Sequence, residues 1–270
     1  MNSPGEAPGF DTTKPHPARV YDYLLGGKDN YLADREAAEQ ILKVAPEFAG
    51  NARANRGFLA RSVRYLARDR GIRQFLDIGT GIPAAGNTHE VAQEVAPESR
   101  VVYADNDPIV LAHARALLTS SRSGAVDYIE ADLRDPEKIL ARAADLLDFT
   151  RPVGLLLVAI LHFIPDSHGP AGLVAAYCDA LVPGSFLVLS HGTADFHPAE
   201  VTDTAAAVYR TGPAELALRP KTAIEAFFDG FTLEQSGVVQ APLWRPDNGG
   251  HPEPGELEKI GIYAGVGVKD

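Results

Sequence analysis

The sequence predicts an α/β fold: a mostly parallel sheet with helices on both faces. Three observations carry this. From Arg73 onward, short apolar runs alternate with helical patterns. The first run meets the first helix of this series through a glycine-rich turn, Phe75-Leu-Asp-Ile-Gly-Thr-Gly-Ile-Pro83. The last two apolar runs, 231–239 and 259–268, have no helical period between them, so they should pair antiparallel.

The elements follow in order. Residues 1–15 are rich in Pro, Gly and Thr and are expected to be a mobile tail. Residues 16–72 show no strand pattern and read as an N-terminal helical cap. A helix over 18–25 is stopped by Gly26-Gly27. A second, over 34–44, has Asp34 as its N-cap and ends at Pro46. A third, over 51–70, carries Leu59, Val63 and Leu66 on one face and stops at Gly71. The sheet domain spans 73–270. Strands are expected at 74–78, 100–105, 128–132, 154–162 and 184–190. Helices are expected at 88–95, 108–120, 136–147, 169–181 and 222–228. The run from Gly154 is apolar throughout, as a central parallel strand requires.

Composition narrows the function. A chain of 270 residues with 45% hydrophobic residues can bury a sizeable core. Its net charge of −11 argues against a general nucleic-acid surface. Cys178 is the single cysteine, so no internal disulfide forms, and within a helical pattern it reads as a small buried hydrophobe. No segment is long and apolar enough to span a bilayer, and the N-terminus lacks a signal-peptide pattern. A cytoplasmic protein is the expectation.

The chemistry concentrates at the carboxyl ends of strands, where open α/β sheets bind ligands. The fingerprint G-x-G-x-x-G is half met, because after Gly79 and Gly81 the third position is Ala84. Asp77 precedes the first glycine. A carboxylate there repels a pyrophosphate but suits a cation. S-adenosylmethionine carries a sulfonium and an ammonium and no phosphate, so charge favours a methyl donor over NAD. Asp105, ending the second strand, can accept from ribose hydroxyls, with Asn106 beside it. Asp107 competes for that role or caps the next helix. Asp132, with Leu133, can meet an adenine amino group. His162 is expected to end the central strand, as a candidate general base or a pocket-lining group.

The series Asp77-x-Gly79-x-Gly81, Asp105, Asp132 and Leu161-His162-Phe163 resembles the class I S-adenosylmethionine-dependent methyltransferases. The stretch His16-Pro-Ala-Arg-Val-Tyr-Asp-Tyr-Leu-Leu-Gly-Gly-Lys-Asp-Asn-Tyr31, with Asp34-Arg35 and the glycine turn, is similar to an actinobacterial S-adenosyl methyltransferase family of unassigned substrate. The resemblance implies a Rossmann-like, seven-stranded methyltransferase sheet with an antiparallel last strand. It also implies methyl transfer from S-adenosyl-L-methionine; the acceptor is left unidentified by the resemblance, and a small molecule is the expectation. The expected cofactor-binding residues are Asp77, Gly79, Thr80, Gly81, Asp105, Asn106, Asp132 and Leu133. Tyr21, Gly27 and Asn30 join them from the N-terminal cluster.

Other readings stand beside these. The cluster from Tyr21 to Tyr31 is a lid over the donor or a helix C-cap and turn. The arginines at 53, 56, 61, 64, 68, 70 and 73 line an anionic acceptor or form a solvated face. His191, Asp195 and His197 follow no zinc spacing, and no metal is expected. An NAD-dependent oxidoreductase and a catalytically silent cofactor-binding module are the alternatives to a methyltransferase.

Overall fold

The computed structural model describes residues 11–117, 120–210, 214–247 and 254–270. The tail residues 1–10 lie outside this set, so the expectation of mobility there has no counterpart.

The apolar runs form one sheet. Its strands are β1 (Gln74–Ile78), β2 (Arg100–Asp105), β3 (Ala125–Glu130), β4 (Gly154–Val158), β5 (Phe186–Gly192), β6 (Phe231–Leu233), β7 (Val239–Gln240) and β8 (Ile262–Lys269). The order in space is β3-β2-β1-β4-β5-β8-β6, with the two-residue β7 pairing β8 off this path. Pairings from β3 to β5 are parallel. β8 runs antiparallel to β5 and to β6, as the missing crossover helix required. The chain steps outward from β1 to β2 and β3, then returns to place β4 on the other side of β1. That reversal opens a crevice at the carboxyl ends of β1 and β4.

Alternation sorts the strand residues onto two faces. Leu76, Leu155 and Leu187 pack on one side with Ile139 of α6 (Pro136–Ala143) and Val174 and Tyr177 of α7 (Pro170–Asp179). Phe75, Val101, Leu156 and Val188 pack on the other with Phe58, Leu59, Val63 and Leu66 of α3 (Phe48–Asp69) and Val91 of α4 (Thr88–Val95). The predicted α3 stripe is therefore buried against the sheet itself. A division of the chain near residue 72 does not coincide with a break in packing.

A third cluster caps the carboxyl ends. It joins Val20 and Leu24 of α1 (Pro17–Leu24), Ala38 and Ile41 of α2 (Leu32–Val44), and Val208 and Tyr209 of α8 (Ala199–Tyr209). The sequence reading did not include α8. Two further details differ from expectation. Helix α2 begins at Leu32 with Tyr31 as N-cap, so Asp34 is its third residue. The Asp34 carboxylate is buried and accepts from the backbone N–H of Tyr31 (2.8 Å) and of His16 (2.8 Å), tying two helix starts together. Strand β5 extends through His191, which is buried and not in a loop.

Candidate active site

A cavity of about 330 Å³ opens at the ends of β1, β2 and β4. The turn after β1 forms one wall. Gly79 sits at φ +76°, and a Cβ there would lie 2.5 Å from the Ile160 side chain, so only glycine fits. Asp77 is the last inward residue before this turn. Its buried carboxylate accepts from Thr88 Oγ1 at 2.6 Å. Burial raises its pKa from 3.8 to about 6, against the pull of Thr88 and the Arg56 guanidinium.

The end of β2 forms the second wall. Asp105 Oδ2 accepts from Gly81 N–H (2.8 Å) and Oδ1 from Asp107 N–H (2.9 Å), so this carboxylate holds the glycine turn in place. Burial raises its pKa. Asp107 Oδ1 accepts from Ile109 N–H (2.9 Å) and caps α5 (Pro108–Leu117). The pair thus divides: Asp105 faces the cavity and Asp107 faces the helix. Asp132 accepts from Arg134 Nη2 (2.6 Å) and Asn106 Nδ2 (3.1 Å), and Arg134 chiefly lowers its pKa to about 2. Thr80, Asn106, Asp132 and Leu133 all line the same cavity.

Helix α1 roofs it. His16, Pro17, Ala18 and Tyr21 reach the cavity from above. His16 Nδ1 stands 3.1 Å from Asp107 Oδ2, and burial lowers the pKa of its imidazole despite that neighbour. Arg19 is buried beside Asp34 (3.4 Å) and Asp107 (3.8 Å), which anchors the roof to the start of α5. Tyr21 Oη donates to Ala52 O (3.0 Å) and accepts from Asn55 Nδ2 (3.0 Å). Asn55 Oδ1 accepts from Ser190 Oγ, which in turn accepts from Ala159 N–H (3.0 Å). That chain of bonds supports Ala159 at φ +57°, a strained position for a residue with a Cβ, in the cavity wall.

Gly27 and Asn30 do not reach the cavity. They wrap the buried Asp22 carboxylate, which accepts from Asn30 Nδ2 (2.8 Å) and Asp29 N–H (3.0 Å). A Cβ on Gly27 would fall 2.0 Å from Asp22 Oδ1, which accounts for that glycine. Most of the arginine run is spent elsewhere. Arg61 donates to Trp244 O and Ala241 O, Arg70 pairs with Glu234, and Arg73 pairs with Glu98. Arg56 alone of that run lines the cavity. The sequence reading gave no site role to His16, Asn55 or Ala159, although His16 and Ala159 lay within stretches it singled out; Arg56 stood in the arginine run read either as lining an anionic acceptor or as a solvated face.

His162 lies outside the main cavity, in the wall of a smaller one of about 70 Å³. Its Nδ1 accepts from Gly192 N–H at 3.1 Å. The proton of the neutral ring is then on Nε2, which donates and does not accept. Burial holds its pKa well below the ordinary value. His191 Nε2 meets Arg219 Nη1 at 2.8 Å. Among the described residues, no group of three or more His, Cys, Asp or Glu is placed to hold a metal ion. No helix among them is long and apolar enough to cross a membrane.

This geometry can be set against known proteins. A DUF574-family protein from Streptomyces avermitilis is 45% identical, with 96% of this chain and 99% of that one covered and a TM-score of 0.90. A protein from Thermobifida fusca is 43% identical, covering 97% and 98%, with a TM-score of 0.87. At 15% identity, an O-methyltransferase family protein from Burkholderia thailandensis shares the fold, with 78% and 55% covered and a TM-score of 0.51. Among curated proteins none matches the chain. The profile of the S-adenosyl methyltransferase family matches residues 4–270. The chain therefore belongs to that family and is an S-adenosylmethionine-dependent methyltransferase.

Proposed function

We propose that the protein transfers a methyl group to a small-molecule acceptor, with the donor held in the 330 Å³ cavity. The charge of the walls is the observation that supports this most. Asp77, Asp105 and Asp132 line a crevice closed by a glycine turn, a setting that suits a cationic ligand without phosphate. S-adenosylmethionine supplies an electrophilic methyl on a positively charged sulfur. Asp77 supplies the opposing charge. Gly79, Thr80 and Gly81 let the backbone approach the ligand closely, and Asp105 and Asn106 offer acceptors and donors for ribose hydroxyls. Asp132 and Leu133 lie where an adenine ring would rest. Arg56 is placed to meet a carboxylate. Tyr21 and His16, on the roof, exclude water and restrict the donor's approach.

Gly27 and Asn30 act at one remove, by shaping the end of α1 around Asp22. His162 contributes a hydrogen-bond donor and not a base, because Nδ1 is already occupied. The chemistry then rests on alignment, which an already activated donor permits. Seclusion of the crevice under α1 favours an acceptor small enough to enter it over a macromolecule. A reducing compartment such as the cytoplasm is the proposed location, and the buried free thiol of Cys178 fits it.

The test is transfer of a labelled methyl group from S-adenosylmethionine into fractionated lysate of the host organism. Label in the low-mass fraction, with matching release of S-adenosylhomocysteine, is expected. Label confined to protein or nucleic acid contradicts the small-molecule reading.

A further inference from the structure

The cavity of about 70 Å³ shares Pro17, Tyr21, Ala159 and Phe163 with the larger one. The two therefore meet along one wall, beneath the strained Ala159. The smaller cavity runs inward between β5, α8 and the start of β8. Among the described residues it has no Asp, Glu, Lys or Arg in its lining. Leu24, Phe48, Ala205, Leu216, Leu218 and Ile262 give it a hydrocarbon surface. A charged group entering it would lose its hydration with no counter-charge in return.

One polar atom stands out. His197 Nε2 is buried in this lining and has no hydrogen-bond partner among the described residues. The ring rests against Gly261, where a Cβ would come within 2.6 Å of Nε2, so the missing side chain is what admits the imidazole. A buried polar nitrogen with nothing to bond is costly, and a ligand hydroxyl satisfies it. Size sets the rest. A cavity of about 150 Å³ holds a benzene ring. One of about half that volume takes only a short end of a molecule, such as a branched aliphatic group.

We propose that this inner cavity is the acceptor subsite, and that it takes the end of a small uncharged molecule that is mainly aliphatic and carries a hydroxyl bonded to His197. The proposal rests on the reading of the larger cavity as the donor site. The atom to be methylated then lies at the shared wall by Ala159, next to the donor.

The test uses the full chain and three probes with the same branched carbon skeleton: 3-methyl-1-butanol, isovalerate and isoamylamine. Binding is followed by saturation-transfer NMR with and without S-adenosylhomocysteine. The alcohol is expected to bind about tenfold more tightly than the two charged probes, and to remain bound when S-adenosylhomocysteine is added. In Ala205→Phe, which fills the cavity from α8, the alcohol should bind about tenfold more weakly with the affinity for S-adenosylhomocysteine unchanged. His197→Leu should weaken the alcohol by about fivefold and leave the charged probes as they were. The probe series on the unaltered protein needs no variant to fold. Isovalerate or isoamylamine binding as well as the alcohol overturns the proposal. So does failure of the alcohol to bind, or its displacement by S-adenosylhomocysteine. If the alcohol binds and S-adenosylhomocysteine does not, the donor reading of the larger cavity fails instead.

Discussion

Asp77 is the residue on which the cavity's electrostatics turn. Its carboxyl holds a proton more tightly in the folded chain than in the unfolded one, because burial raises its pKa from 3.8 to about 6. The folded state therefore gains relative stability at low pH, and that gain is lost as pH rises through about 6. Binding of a cation runs the other way, since it needs the ionised form. Affinity for S-adenosylmethionine should be flat above about pH 6.5 and fall up to about tenfold per pH unit below pH 6. Titrations between those limits check it, and a pH-independent constant speaks against a charged role. The neighbouring pair separates in the same way. Asp105→Ala should weaken S-adenosylmethionine, since it removes both a cavity acceptor and the bond that fixes Gly81. Asp107→Ala should mainly lower stability, by about 0.5–2 kcal/mol for the lost cap, and more where Arg19 is left with one partner fewer. Thermal melts and calorimetry on the two variants decide it. The opposite assignment would mean that Asp107 meets the ligand.

At the scale of elements, α1 carries the N-terminal motif over the crevice. Its hold has two parts: an apolar side, Val20 and Leu24, and a polar side, Arg19 against Asp34 and Asp107. Tyr21 then links it through Asn55 and Ser190 to the turn after β4. A donor bound beneath adds contacts to the cavity face of this helix. Hydrogen exchange in α1 should therefore slow when S-adenosylmethionine is added, while exchange in β4 stays as it was. Equal protection of α1 in both states would leave it as a fixed roof and not a lid.

The strand–turn–helix of β1 and α4 was legible in the sequence because its signal is local: an apolar run, two glycines and a capped helix start. Asp77, Asp105 and Asp132 were legible as a group because each lies at or just beyond the carboxyl end of a strand. The roof was legible only as a cluster of unusual residues. Asn55 and Ala159 were not, since their positions depend on α3 lying across the sheet and on a tertiary bond to Ser190; Arg56 was named only within a run of seven arginines that left two readings open. The spent arginines show the same limit, because Glu234 and the Trp244 carbonyl lie far along the chain from their partners.

The whole molecule combines a mostly parallel sheet, two flanking helical layers and a cap that joins α1 and α2 to α8. Its expected seven strands are present, with β7 as a short addition, and β8 runs antiparallel between β5 and β6. The cap is the less self-contained part. Removing residues 1–31 takes Val20 and Leu24 from the third cluster but leaves both sheet cores intact. Such a chain should fold with a lower melting temperature and retain S-adenosylmethionine at least about tenfold more weakly, for want of the roof. Failure to fold would show that α1 is part of the framework that supports the sheet.

The central claim is that the acidic crevice beside the glycine turn holds a cationic methyl donor. Calorimetric titration of S-adenosylmethionine into the full chain and into Asp77→Asn tests it most directly, since asparagine keeps the size and shape, retains one acceptor oxygen for Thr88 and removes the charge. The account predicts saturable binding to the unaltered protein and a loss of about 1.5–3 kcal/mol in the variant, a weakening of roughly ten- to 150-fold. An unchanged dissociation constant in Asp77→Asn would contradict it.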